Sequence, residues 1–226
     1  MPTTSLQATA QGRAQCSARA DTRYLFTGQF LEGAKIFSEE AAKIERDSAG
    51  GEALRAKHRA CVCAAIMQAS AALEADLAEV VMHGPSSYMG SNGTDAEARD
   101  FLKPLAEQID RLPLLEGFKT VLHLLKKPAL DLGGPPAQDA TLLIRLRNEI
   151  THYKSLLGQE MEGKKLFSAL EHKRFAPPPF AGNSNFFPHR LLGAECAKWA
   201  GSAARRFLIE FHSLLGHADR LPPWLN

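Results

Sequence analysis

Within six residues the chain places an arginine, an asparagine and a histidine: Arg147-Asn148-Glu149-Ile150-Thr151-His152. Together these types can bind an anion and move a proton, and one chemistry open to them is cleavage of a phosphodiester. To cut RNA without a metal, one group must take the proton of the 2′-hydroxyl and another must return one to the departing 5′-oxygen. A third must hold the charge that builds on phosphorus. Histidine moves protons at neutral pH, and a positioned general acid or base contributes on the order of 10²–10⁴-fold. Arginine stays charged, and its planar fork of donors matches phosphate oxygens. Asn148 precedes His152 by one helical turn, close enough to orient it or to bind the phosphate. The products of such a reaction are a 2′,3′-cyclic phosphate and a 5′-hydroxyl. No metal or other cofactor is called for.

The stretch that must position these groups is 142–157, LLIRLRNEITHYKSLL. At about 100° per residue, Leu143, Leu146, Ile150, Tyr153 and Leu157 fall on one side and form an apolar stripe. Arg145, Asn148 and His152 fall on roughly the opposite side, and Arg147 sits at the edge of the stripe. Tyr153 is read as core. Arg145 and Lys154 are further candidates for phosphate contact. Five residues separate Arg147 from His152, about 140° around a helix, so one chain does not easily aim both at one point. A two-fold dimer can bring the Arg147 of one copy to the His152 of the other, although a long arginine can also wrap round within one chain; activity is expected to require the dimer. Plainer roles stand beside these. Arg147 serves as an ion-pair partner of Glu149 or Asp139, His152 faces solvent or an interface, Asn148 holds the helix face, and Arg145 is solvated. Glu149 is a surface charge or a brake on local positive potential.

Around this stretch the pattern is helical throughout. Residues 24–46 repeat Phe26, Phe30, Ala34, Phe37, Ala41 and Ile44 at helical spacing, with Asp21 or Thr22 as cap. Residues 52–82 read as a long helix whose middle, from Ala60 to Ala72, is small and apolar all round, which predicts a central buried helix stopped by Gly84-Pro85. Helices are expected at 95–111 and at 113–125, the latter with Pro113 in its first turn. The Gly- and Pro-rich run 126–139 predicts a shaped loop, with the motif helix beginning near Gln138 or Asp139. Past Leu157 the pattern weakens. Residues 158–188 are expected to be an irregular insertion with a short helix at 162–172 and a Pro-rich loop pinned by aromatic residues. A long amphipathic helix at 189–215 closes the chain, with Gly216 as its stop. Residues 1–20 lack large apolar residues and are expected to be disordered, and 221–226 form a short tail. With no strand-like alternation, the class is all-α, and 21–220 form one domain.

Several of these stretches resemble the HEPN superfamily of helical domains. Arg147-Asn148-Glu149-Ile150-Thr151-His152 is similar to its R-N-x-x-x-H signature. Residues 58–80 resemble the first long core helix of bacterial members, with an S-x-x-L-E-A pattern at Ser70, Leu73, Glu74 and Ala75. Residues 127–154 resemble the loop and motif helix, and 189–216 a C-terminal helix, so the likeness spans most of 52–216. It implies a HEPN-like four- to five-helix bundle, here with an additional N-terminal helix and a long C-terminal one. It implies dimerisation through the motif helices, so that two copies of Arg147 and His152 share one cleft with Asn148. Many members are metal-independent endoribonucleases of toxin–antitoxin or phage-defence systems, which implies RNA as substrate and an antitoxin or defence protein as partner. Others only bind RNA or nucleotides, or act as interaction modules inside defence complexes. One toxin branch is adenylylated on a tyrosine two residues after the histidine. Here Tyr153 follows His152 directly, a departure from that pattern.

The rest of the sequence bounds these possibilities. With 226 residues, the chain is long enough for one well-buried core. Its 27 basic and 25 acidic residues leave a net charge of +2, so an anionic ligand must be drawn by a local patch. The four cysteines, Cys16, Cys61, Cys63 and Cys196, have no disulfide-framework spacing, and Cys61-x-Cys63 with His58 nearby is not a zinc pattern. His212 and His217 are expected at the surface or in the tail. There is no phosphate-cradling glycine loop and no nucleophile elbow. With no apolar core near the start and no apolar run approaching 18 residues, neither a signal peptide nor a membrane span is expected, and the cytoplasm is the expected location.

Overall fold

The computed structural model describes residues 25–47, 51–86, 95–153, 165–182 and 185–217. Among them are eight α-helices and no strand, so the all-α class holds: α1 (Thr27–Arg46), α2 (Glu52–His83), α3 (Asp95–Leu102), α4 (Ala106–Asp110), α5 (Leu114–Leu124), α6 (Pro135–Thr151), α7 (Lys165–Glu171) and α8 (Ala194–His212). The expected caps Asp21 and Thr22, the segment 1–20, the tail 221–226, Leu157 and Lys154 lie outside the described residues.

Helix α2 is the axis of the bundle. It packs against α1, α8, α6, α3, α4 and α5, which explains why apolar residues surround it on nearly every side. Ala65, Ala69 and Ala72 are wholly buried, small enough to let neighbouring helices approach closely. By length and composition α2 is apolar enough to cross a bilayer, which the lack of a long uninterrupted apolar run did not signal. Yet 56% of its apolar window is buried inside the protein, and packing alone accounts for its composition. The helix ends where predicted, at Gly84, whose φ of 89° disfavours a side chain.

Charged residues within this apolar helix do specific structural work. Helix α1 has no capping side chain of its own. Instead, Glu79 of α2 accepts the Phe26 N–H at 2.6 Å, the Thr27 N–H at 3.0 Å and the Thr27 hydroxyl at 2.9 Å. A carboxylate there satisfies donors that a helix start leaves unpaired and opposes its positive dipole end. Glu45 of α1 does the same for α8, accepting the Ala194 N–H at 2.7 Å while pairing with the buried His58 at 2.8 Å. The buried stripe of α1 is Thr27, Leu31, Ala34, Ser38, Ala41 and Ile44. It is rotated from the expected phenylalanine row: Phe26 is exposed, and Phe30 and Phe37 are half-buried.

Proline shifts three of the expected boundaries. The single helix expected at 95–111 is broken at Lys103–Leu105 by a tight 3-10 turn holding Pro104, which has no N–H to continue the ladder. Pro113 stands one residue before α5 as its cap rather than in its first turn. Pro135 and Pro136 open α6 instead of excluding it, because the first turn has no use for their missing N–H groups. The motif helix therefore begins three residues earlier than Gln138. Helix α5 docks on α2 through Gly117, where a Cβ would meet Leu77 Cδ2 at 2.7 Å. Phe118 stands edge-on to Phe207 and Phe211 of α8, with centroids at 4.9 and 4.6 Å.

The Pro-rich connection is pinned by aromatic rings as expected. Phe175 meets Trp199, Phe167 stacks on Phe187, and Phe180 meets the His58 ring edge-on at 4.8 Å. Helix α7 falls within the short helix expected at 162–172 and buries Leu166, Phe167 and Leu170. The last helix starts at Ala194, not at 189. Phe187 is non-helical and Gly193 is extended, so the chain turns before α8 begins. Gly216, with φ of 100°, marks the end as predicted.

Candidate functional site

Helix α6 is held from both flanks before any question of chemistry arises. Leu143 and Leu146 are wholly buried. Asp139, nearly buried, accepts from Arg206 at 2.8 Å and also pairs with Lys173, which ties α6 to α8 and to the segment after α7. Asp139 is therefore not the partner of Arg147.

Arg145 and Asn148 are exposed, and Arg147, Glu149 and Ile150 are half-buried. The helix closes at Thr151, and His152 is its cap residue, with φ −109° and ψ 38°. Its backbone N–H still donates to the Asn148 carbonyl at 2.8 Å. The imidazole thus belongs to the helix end, where a fixed turn per residue no longer gives its direction. It is exposed to solvent, and with Arg145 and Asn148 it forms an exposed polar strip over the last two turns. Tyr153 lies beyond the helix and is 53% exposed, which corrects its reading as core. The apolar stripe cannot reach a residue that has left the helix. Its ring still leans toward Phe187, with centroids 6.3 Å apart.

Arg147 is engaged by α2. Its Nε donates to Ser70 Oγ at 3.2 Å, and a terminal nitrogen pairs with Glu74 Oε1. The partner is neither Glu149 nor Asp139 but a residue 73 positions earlier in the chain. Ser70 and Glu74 are one turn apart on α2 and therefore face α6 together. The ion pair is half-open, with side-chain exposures of 23% for Arg147 and 49% for Glu74. A pair this wet contributes about 0.2–1 kcal/mol, so it orders the arginine without locking it. Thr151 completes the corner: its hydroxyl donates to the Arg147 carbonyl at 2.9 Å and lies 3.5 Å from Met67 Sδ of α2.

Ser70, Glu74 and Met67 are the site neighbours that the residue pattern alone did not assign. A signal was present for Ser70. It is wholly buried among the apolar residues of α2, and a buried hydroxyl needs a polar partner from somewhere.

Other titratable groups are structural. His212, expected at the surface, is buried and bonds Asp76 Oδ1 at 2.9 Å. His217 meets Ser86 Oγ at 3.2 Å. Burial pushes the thiols of Cys61, Cys63 and Cys196 upward, away from the reactive thiolate. Among the described residues no group of three or more His, Cys, Asp or Glu is placed to hold a metal. A cleft of about 890 Å³ lies between α1 and α8, lined by Leu31, Ala34, Ser38, Ala42, Gly201 and Arg205, with no residue of α6. Comparison with protein-family models, with curated proteins and with solved structures finds no match to this chain.

Proposed function

We propose that this chain is a HEPN-like, metal-independent endoribonuclease of a toxin–antitoxin or phage-defence system. Its working site pairs Arg147 with His152 across a homodimer. The observation that carries the reading is the end of α6: His152, Asn148 and Arg145 are solvent-accessible, and Arg147, turned toward α2, is held in a partly exposed ion pair with Glu74. In this reading His152 transfers the proton and Arg147 holds the phosphate. Asn148, one turn away, orients the imidazole or the scissile group, and Arg145 and Lys154 steer the flanking backbone.

A second reading has an observation of its own. The contacts of Arg147 to Ser70 and Glu74 join α6 to α2, as they would in a helical module that binds RNA or a protein partner without cutting. One experiment separates the two. Purified protein is incubated with mixed RNAs in EDTA, beside Arg147→Ala and His152→Ala variants whose helicity and melting match wild type. The enzyme reading expects cleavage by wild type, 2′,3′-cyclic phosphate ends, and a loss of at least about 10²-fold in His152→Ala. Cleavage that survives in both variants sinks the site. Inertness of wild type on all RNAs, with retained binding, favours the module.

A further inference from the structure

The two contacts to Arg147 differ in depth. Ser70 is wholly buried and takes Nε, the nitrogen nearer the backbone. Glu74 is half-exposed and takes a terminal nitrogen, at the outer end of the fork. Ser70 thus fixes where the side chain points, whereas Glu74 occupies the edge that faces solvent. A carboxylate offers a guanidinium the same kind of oxygen acceptor as a phosphodiester, and an arginine fork serves either. With Glu74 in place, one of the fork's five donors and much of its field are already committed.

We propose that Glu74 is a built-in competitor for RNA phosphate: it occupies Arg147 in the free chain, and an incoming phosphodiester must displace it. The idea rests on the RNA reading of α6 and adds a regulatory residue on α2. It makes occupancy of the site depend on a ligand that outcompetes an internal anion. A chain of near-balanced charge thereby avoids holding every polyanion it meets.

The test uses the full chain and a mixed-sequence RNA 20-mer carrying 2′-O-methyl groups throughout, which separates binding from cleavage. Dissociation constants are measured by fluorescence anisotropy for wild type, Glu74→Gln, Arg147→Met and the double variant. Glu74→Gln is expected to bind roughly 1.4-fold to fivefold more tightly, and the gain is expected to vanish when Arg147 is methionine. A gain that persists without Arg147 reduces Glu74 to one surface charge among many and overturns the proposal. So does a weakening by Glu74→Gln, which makes it a positioning residue. A second readout needs no RNA. Phenylglyoxal modification of Arg147, followed by peptide mass spectrometry, is expected to quicken in Glu74→Gln while Arg145 is unchanged. If Arg147 is unmasked in this way yet neither protein binds the oligonucleotide, the RNA reading has failed. If RNA binds through Arg147 in both but neither affinity nor modification changes, the competitor has failed.

Discussion

Where α8 crosses α2, His212 and Asp76 meet with side chains only 2% exposed each, and Asp76 Oδ2 has no hydrogen-bond partner among the described residues. Removing the imidazole strands the carboxyl group in the core. Breaking a buried pair of this kind costs about 3–5 kcal/mol, because the remaining group loses both water and partner. His212→Ala should therefore lower Tm by roughly 6–20 °C in a domain of this size, and His212→Gln, which keeps a donor, by less. Thermal melts followed by far-UV circular dichroism measure this, and equal melting of His212→Ala and wild type would show that the pair holds nothing. The sequence carried a sign of this burial. His212 follows Leu208 by one turn and adjoins Phe211, so it lies within the inward stripe of α8. The same logic governs Arg147. Its true partner is on another helix, and spacing along α6 cannot reveal a contact made across 73 residues.

Elements show where local rules suffice and where packing overrides them. The start and end of α2, the end of α1 and the buried face of α5 were legible, because apolar period and glycine stops are local signals. The start of α6 was not, because a proline pair reads as a breaker unless it falls in the first turn. The cap of α1 was also hidden, since it comes from α2. That cap gives a pH prediction. Burial raises the Glu79 carboxyl above its ordinary 4.5, although hydrogen bonds from Thr27 and Phe26 pull it back down. A raised folded value means that the folded chain holds the proton more tightly than the unfolded chain. The proton-linked part of the contribution of Glu79 to stability is thus full below about pH 4.5 and is lost as pH rises through the raised value. Glu79→Gln keeps a carbonyl for the two N–H groups and cannot titrate. Its stability, from urea melts at stepped pH, should decline less across that window than that of wild type. Glu79→Ala, which removes the cap, should cost about 0.5–2 kcal/mol at every pH. An identical pH profile for Glu79→Gln and wild type would remove Glu79 from the account.

At the scale of the whole molecule, the question is whether one copy suffices. Met67 and Tyr153 are exposed, at 38% and 53%, and both flank the α6 corner that holds Arg147, Thr151 and His152. Apolar side chains bordering a polar strip suit a surface that a second copy covers, and a net charge of +2 sets little repulsion against it. A two-fold interface repeats each contact, so the Arg147 of one subunit and the His152 of the other would form two equivalent pairings. Complementation tests this directly. Arg147→Ala and His152→Ala proteins, each inactive alone, are mixed under mild dissociating conditions and returned to assay buffer. If the working pair spans the interface, half the dimers are mixed and each holds one intact pairing, so about a quarter of wild-type RNA cleavage should return. If each site lies within one subunit, every subunit in the mixture carries a defect and nothing returns. Recovery that also grows with protein concentration would follow from mass action on the dimer. Failure to recover, from variants that demonstrably exchange subunits, would return the arginine and histidine to a single chain and leave dimerisation without a catalytic role.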